Sequence, residues 1–396
     1  MEQLTRRGFL KRSMLATAGT SLIPQFLKAW EGPVDADPDK ILVIIQLSGG
    51  NDGLNTVVPY RNDIYYKLRP QLGISSEKVL KVSDELGFNP VWGSIQRLYD
   101  QGYLTVINNV GYPNPDRSHF RSMDIWQSAS GSDQHVTTGW IGRYLDAQCK
   151  GCGSHSAIEI DDSLGLAMRG SELNGLALLD PGKLFLATKQ PFYKRLSEVQ
   201  GDEPHIAYLY KTAAETASNA QYIYEKSSVS ATTTTFPNSE LGKKLKTIAE
   251  LIRSGMSTKV YYASLSGFDT HVRQGMQQER LLSQYGEAIS ALVSDLKQSG
   301  NLGRTLIMTF SEFGRRATEN ASGGTDHGTA NNLFLMGGAL RKSGFLNGVP
   351  DLSHLDEEDL VYQIDFRQIY CTILNKWLKA DDKSILGESF PLLDFI

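Results

Sequence analysis

Five stretches of this chain are apolar at nearly every position rather than at every second one. They are Ile41 to Leu47, Tyr103 to Val110, Val260 to Leu265, Thr305 to Phe310 and Leu333 to Met336. Unbroken apolar runs of this length suit strands buried on both faces of a parallel sheet. Between them the apolar period lengthens to that of a helix. Asn89 to Tyr99 reads as an amphipathic helix closed by Gln101-Gly102, and Gly242 to Ser254 as another. In Val272 to Ser299, Leu281, Leu282, Tyr285, Ala288, Ile289, Leu292, Val293 and Leu296 recur at helical spacing. Arg117 to Trp126 and Thr138 to Leu145 open two more helices, and Asp365 to Leu374 forms a closing one. Strands alternating with helices predict an α/β fold with parallel pairing.

Residues 150–240 are less regular. Short strands are expected around Ala157 to Ile160 and Gly175 to Leu179, a polar helix from Ile206 to Ser227, and an exposed connection at Ser230 to Thr235. This stretch reads as an insertion or cap packed on the sheet of a single domain, residues 37–396.

The N-terminus stands apart. Thr5-Arg6-Arg7-Gly8-Phe9-Leu10-Lys11 precedes a short, mild apolar stretch from Ser13 to Ile23. Paired arginines before such a stretch make a twin-arginine export signal, which predicts the twin-arginine translocase as a partner and a periplasmic or extracellular destination. The apolar stretch is too short and interrupted for a stable membrane span. Residues 1–36 are therefore read as signal and linker. The 396 residues carry a net charge of -4 without a long basic block, which argues against nucleic acid as a partner. Cys149-Lys150-Gly151-Cys152 has no second pair to complete a four-thiolate site. In an oxidising compartment a local disulfide is the expected state, with two free thiols the alternative.

The candidate chemistry lies just outside the apolar runs. Ser48-Gly49-Gly50-Asn51-Asp52 follows the first, Ser266-Gly267-Phe268-Asp269-Thr270-His271 the third, and Ser311-Glu312-Phe313-Gly314-Arg315 the fourth. Gly323-Gly324-Thr325-Asp326-His327-Gly328 precedes the fifth. Ligands of open α/β sheets bind beyond the carboxyl ends of the strands, and acids and imidazoles gathered there are the makings of a metal site. Asp52, Asp269, His271, Glu312, Asp326 and His327 are the candidate ligands. Asp269 and His271, two apart, face the same way in an extended segment. Asp326 is suited to orienting a liganding imidazole. Ser118, at the N-cap of its helix, either caps that helix or acts as a hydroxyl nucleophile. Arg117 and Arg315 are candidates to hold an anionic group. His119 and Asp124 rank below all of these.

Six segments together carry a family resemblance: Leu47-Ser48-Gly49-Gly50-Asn51-Asp52-Gly53-Leu54-Asn55, Asp116-Arg117-Ser118-His119-Phe120, Thr138-Gly139-Trp140-Ile141-Gly142-Arg143, Phe268-Asp269-Thr270-His271, Glu312-Phe313-Gly314-Arg315 and Gly324-Thr325-Asp326-His327-Gly328. With the twin-arginine signal they resemble the family called domain of unknown function 1501, across nearly the whole mature chain. That family is similar in fold to the alkaline phosphatase and sulfatase superfamily. The resemblance implies a doubly wound, mostly parallel sheet with one or two divalent ions (Zn, Ca, Mg or Mn) at the strand ends. Asp52, Ser118, the Asp269/His271 pair, Glu312 and His327 follow the superfamily's order of functional residues. Two departures stand out. Glu312-Phe313-Gly314 occupies the place of a superfamily Asp-His-Gly, and one residue rather than three separates Asp269 from His271. A single metal fits this pattern better than two.

The leading expectation is an exported metal-dependent hydrolase of phosphate or sulfate esters, acting on a small anionic ester or glycan. The alternative is a non-enzymatic exported protein that binds a glycan, surface polymer or partner through a degenerate metal site.

Overall fold

The computed structural model describes residues 40–149, 152–191 and 204–396; the twin-arginine segment with Arg6 and Arg7 lies outside them. Every one of the expected apolar runs is a strand. The central sheet contains β1 (Ile41–Ser48), β2 (Leu104–Gly111), β3 (Ala157–Glu159), β4 (Leu176–Ala177), β5 (Val260–Ser266), β6 (Thr305–Phe310), β7 (Asn331–Gly337), β8 (Gly344–Phe345) and β9 (Ile364–Asp365). Their order is β8-β2-β7-β6-β1-β5-β3-β4, with β9 also on β2. β1 sits at the middle, Ile44 registering with Tyr262 on one side and Met308 on the other, both parallel. Only β7 runs antiparallel among the described strands of this sheet, against β2 and β6.

Alternate residues of β1 enter two separate cores, which is why the run is apolar throughout. Ile41, Val43, Ile45 and Leu47 join one core with α7 (Glu240–Arg253) and α8 (Gln274–Gln298). Leu42 and Ile44 join the other, beneath α3 (His119–Ser128), α4 (Trp140–Gln148) and α9 (Phe366–Thr372). Helices thus cover both faces of a mixed, mostly parallel sheet, as expected. Between α4 and α7 the chain adds β3 and β4 to the sheet edge. It then packs α5 (Pro181–Thr188) on α6 (Pro204–Ser228), where Phe185 and Tyr224 stack at 4.4 Å. The expected Cys149–Cys152 disulfide is absent. Both are free thiols, with Cys149 buried under α4 in the second core.

The sheet directions decide which loops meet. β1, β2, β5 and β6 run the same way, so all four end at one edge. β7 runs the other way, so the Gly323–Gly328 loop, which precedes it, arrives at that same edge. An antiparallel bridge between Arg315 and His327 joins the loop to the segment after β6.

Candidate metal centre

Close backbone approach builds the site first. Gly49 and Gly50 follow β1 with φ of +117° and +77°, a region open chiefly to glycine. A Cβ on Gly49 would lie 2.4 Å from the Asp269 nitrogen, and one on Gly50 would lie 2.4 Å from the Phe313 ring. The missing side chains let the segments after β5 and β6 close over the end of β1. Arg315, fully buried, fastens them: Nε donates to Gly50 O (2.7 Å), Nη1 to Thr325 O (2.8 Å), and Nη2 to Phe268 O (2.9 Å) and Asp269 Oδ1 (2.8 Å). Phe313 packs between two imidazoles, its ring 4.9 Å from His119 and 4.7 Å from His327.

Three histidines surround Asp269. Its Oδ1 lies 3.0 Å from His271 Nε2, 3.1 Å from His327 Nε2 and 3.4 Å from His119 Nε2. The Nε2 atoms of His271 and His327 are 2.9 Å apart. The other nitrogen of each ring faces an oxygen. His119 Nδ1 meets Glu312 Oε1 at 3.0 Å, His271 Nδ1 meets Asp326 Oδ1 at 3.2 Å, and His327 Nδ1 meets the Arg117 carbonyl at 2.8 Å. All three partners are oxygens that accept, so a neutral ring with its proton on Nδ1 turns its Nε2 lone pair inward, whereas a proton on Nε2 meets Asp269 Oδ1. Three ring nitrogens and a carboxylate oxygen therefore confront one another. Such an arrangement is satisfied by a shared proton or by a cation. His119 Nε2 is buried with no hydrogen-bond partner, an orphaned acceptor aimed into the group. Acceptor oxygens behind each imidazole are the usual support of metal-binding histidines.

The electrostatics favour the same states. A hydrogen bond to Glu312 raises the His119 pKa, making its imidazole a more basic donor. Burial lowers that of His327, which keeps it neutral. Burial opposes charge on Asp269, but the hydrogen bonds from Arg315 and His327 and the charges of Arg315 and His271 together outweigh this and hold the carboxyl well below the usual range. A hydrogen bond from Asn320, then one from His271, lowers Asp326. The group stays open to solvent, the Asp269 and His271 side chains being 48% and 39% exposed. His119, Asp269 and His327 offer donor atoms within 4.8 Å of one another, and His271 adjoins two of them.

Residues 105–386 match the family described as "Protein of unknown function (DUF1501)". The chain belongs to that family. Among solved structures it is similar to the PsFucS1 sulfatase from Pseudoalteromonas sp., with 11% identity and a TM-score of 0.40 over 93% of this chain and 72% of that one. It is also similar to a protein of the alkaline phosphatase superfamily from Vibrio parahaemolyticus, with 10% identity and a TM-score of 0.38 over 89% and 70%. The lipoteichoic acid synthase LtaP from Listeria monocytogenes gives 9% identity and a TM-score of 0.37 over 78% and 68%. No curated protein matches the sequence.

In this member of the family, Asp269, His271 and His327 stand together. Glu312 and Asp326 stand behind the imidazoles of His119 and His271 rather than among the inward-facing donors. Asp52 lies apart. It is fully buried, with Oδ2 2.6 Å from Arg69 Nη1 and hydrogen-bonded by Gln274, while Oδ1 accepts from Asn55 N at the start of α1 (Gly53–Thr56). Its carboxylate is paired with Arg69 and sealed from solvent, away from the open group around Asp269. Of the two arginines expected to hold an anion, Arg315 is buried against backbone carbonyls and Asp269, and the Arg117 guanidinium, 38% exposed, pairs with Asp359. What Arg117 supplies is the carbonyl that sets His327. Ser118 is the N-cap of α3, but its side chain makes no capping bond, and the hydroxyl is exposed.

His119 is the residue underrated from sequence. It opens a helix rather than ending a strand, so the strand-end rule passes over it. The signal was its place beside Ser118 in Asp116-Arg117-Ser118-His119-Phe120, just beyond β2.

Proposed function

We propose that the protein is an exported, metal-dependent hydrolase of phosphate or sulfate esters. One divalent ion would be held by Nε2 of His119, His271 and His327 and by Asp269 Oδ1. The observation that carries this is the meeting of three Nε2 atoms at Asp269 Oδ1, with an acceptor oxygen behind each ring at Nδ1. Three nitrogens and one carboxylate oxygen suit zinc or a neighbouring transition metal better than calcium or magnesium, which take oxygen ligands. When bound, such an ion supplies charge stabilisation for the ester oxygens and lowers the pKa of a nearby hydroxyl.

The chain's own residues supply the rest. Ser118 is flanked by the residue that sets His327 and by His119 itself, and its uncapped hydroxyl is the nucleophile. The unpaired N–H groups of the first turn of α3 accept the ester's negative charge. Glu312 and Asp326 hold their imidazoles in the ligating tautomer. Export rests on Arg6 and Arg7; among the described residues no helix is long and apolar enough to cross a membrane.

A second reading keeps the metal without the reaction, as a binding site for a glycan, surface polymer or partner. It draws support from Arg315, whose buried guanidinium is committed to backbone carbonyls and Asp269. Purification with added zinc, elemental analysis and assay on aryl phosphates, phosphodiesters and aryl sulfates separate the two. About one ion per chain and turnover of at least one ester are expected. Ser118→Ala should keep its metal and melting temperature while losing turnover. An active Ser118→Ala protein would remove the nucleophile, and metal without any turnover would favour the binding reading.

A further inference from the structure

Beside the histidines lies a cleft of about 500 Å³ that shares His119 with the cluster. Through that shared residue, a molecule in the cleft lies next to the cluster. Helix α3 supplies one wall. His119, Met123 and Gln127 follow one another at i, i+4 and i+8, and Phe120 and Asp124 form the flank beside them. Arg169, from outside that helix, also lines the cleft.

The wall residues have an unusual combination of free surfaces. Phe120 is 86% exposed, a whole aromatic ring left in solvent at the mouth of the cleft. Asp124 is exposed, and among the described residues its carboxylate has no hydrogen-bond partner. Arg169 donates through Nε and Nη2 to the Leu164 carbonyl, leaving Nη1 unspent. Gln127 gives its amide to Gln46 at 3.4 Å and keeps its carbonyl free. The cleft thus offers one apolar face, an acceptor of two oxygens, a charged donor and an amide oxygen.

A purely aryl or acyl group would leave Asp124 and Arg169 without partners, at a cost for each polar group desolvated. A second anionic group would meet Asp124 with like charge. A pyranose ring satisfies all of them: its axial C–H face lies on an aromatic ring, and its hydroxyls both donate and accept. The volume falls within the range of about 300–1,000 Å³ that holds a single small ligand, enough for one or two sugar rings.

We propose that this cleft is a sugar subsite, so that the ester at the cluster is one carried by a pyranose ring stacked on Phe120 and hydrogen-bonded by Asp124, Gln127 and Arg169. Only the placement of the ester rests on the hydrolase reading; sugar binding by the cleft stands apart from it.

The test uses the zinc-loaded mature chain and saturation-transfer NMR. Probes are glucose, galactose and N-acetylglucosamine 6-sulfates and 6-phosphates, with 4-nitrophenyl sulfate and phosphate as sugar-free esters. At least one sugar ester should receive saturation at its ring protons. Phe120→Ala should weaken its Kd at least tenfold, and Asp124→Asn severalfold, with metal content and melting temperature kept. Because both side chains are exposed, a folded variant is expected, and the melting curve checks it. No saturation of any sugar ring, or a Phe120→Ala protein that binds as wild type does, overturns the proposal. Turnover of 4-nitrophenyl esters without sugar binding removes the subsite and leaves the hydrolase. Sugar binding without turnover of any ester keeps the subsite and removes the hydrolase.

Discussion

At the scale of single residues, two aspartates that look alike in sequence have opposite fates. Asp52 and Asp269 each follow a buried strand and a glycine. Asp269 is half exposed among three imidazoles, whereas Asp52 is sealed against Arg69. Removing one member of a buried ion pair leaves the other charge uncompensated, at about 3–5 kcal/mol. Asp52→Ala should therefore lower the denaturant midpoint strongly, whether or not metal is present. His119→Ala should leave the metal-free protein close to wild-type stability but cut zinc affinity at least tenfold. Zinc titration of both variants, with unfolding curves in chelator, checks the contrast; equal zinc affinity in His119→Ala and wild type would remove that ligand.

A third acid shows burial outweighing nearby cations. Glu159, at the end of β3, is buried with its Oε2 accepting from the Gly165 N–H at 2.7 Å, and burial, opposed by that bond and by the charges of Lys244 and Arg169, pushes its pKa from 4.5 up to about 7. A raised acid pKa means the folded chain holds a proton that the unfolded chain has lost. Wild type should then lose stability as pH rises from 4.5 through 7, by on the order of 3 kcal/mol in all. Glu159→Gln should match wild type near pH 4.5 and melt a few degrees higher at pH 8. A constant difference across that range would sink the assignment.

At the scale of elements, the site depends on how closely loops after different strands approach. Gly49 combines a φ of +117° with backbone of the Phe268–Asp269 segment where a Cβ would go. Gly49→Ala should cost several kcal/mol through strain and overpacking, and should displace Asp269 enough to lose zinc. Gly93, at the start of α2 (Gly93–Asp100), has open space where its Cβ would point. Gly93→Ala is the matched control, with the unfolding midpoint unchanged. A Gly49→Ala chain with the wild-type midpoint would contradict the close-approach argument. The legibility of the sequence changes at this scale. The apolar runs announce the strands because each strand residue is buried on its own account. The glycines announce only turns, since what a turn approaches lies hundreds of residues away: Gly49 N, for instance, donates to Glu312 at 2.7 Å.

At the scale of the whole molecule, the signal and the site make one argument about order of events. The twin-arginine route carries folded proteins, so on the proposed reading a metal held by the three imidazoles would be bound before export. Replacing Arg6 and Arg7 by Lys should leave precursor in the cytoplasm, detected by fractionation and immunoblot, because the translocase reads that pair rather than charge in general. Normal export of the double variant would remove the localisation.

The sequence by itself determined the strands, the helices between them, the mostly parallel sheet and the placing of acids and imidazoles beyond the apolar runs. These are local matters of periodicity and of polar residues placed outside apolar runs. Tertiary structure alone decided which acid serves what. Asp52 was lost to the site because Arg69 is brought within 2.6 Å by a fold in the intervening loop, a pairing no spacing rule encodes. The direction of β7 was likewise invisible, since its apolar run reads the same either way. That reversal carries Asp326 and His327 to the carboxyl edge, where β2 delivers His119. The free energy of burying a strand depends on its own residues, whereas convergence of four imidazole and carboxylate groups depends on the order and sense of strands far apart in the chain.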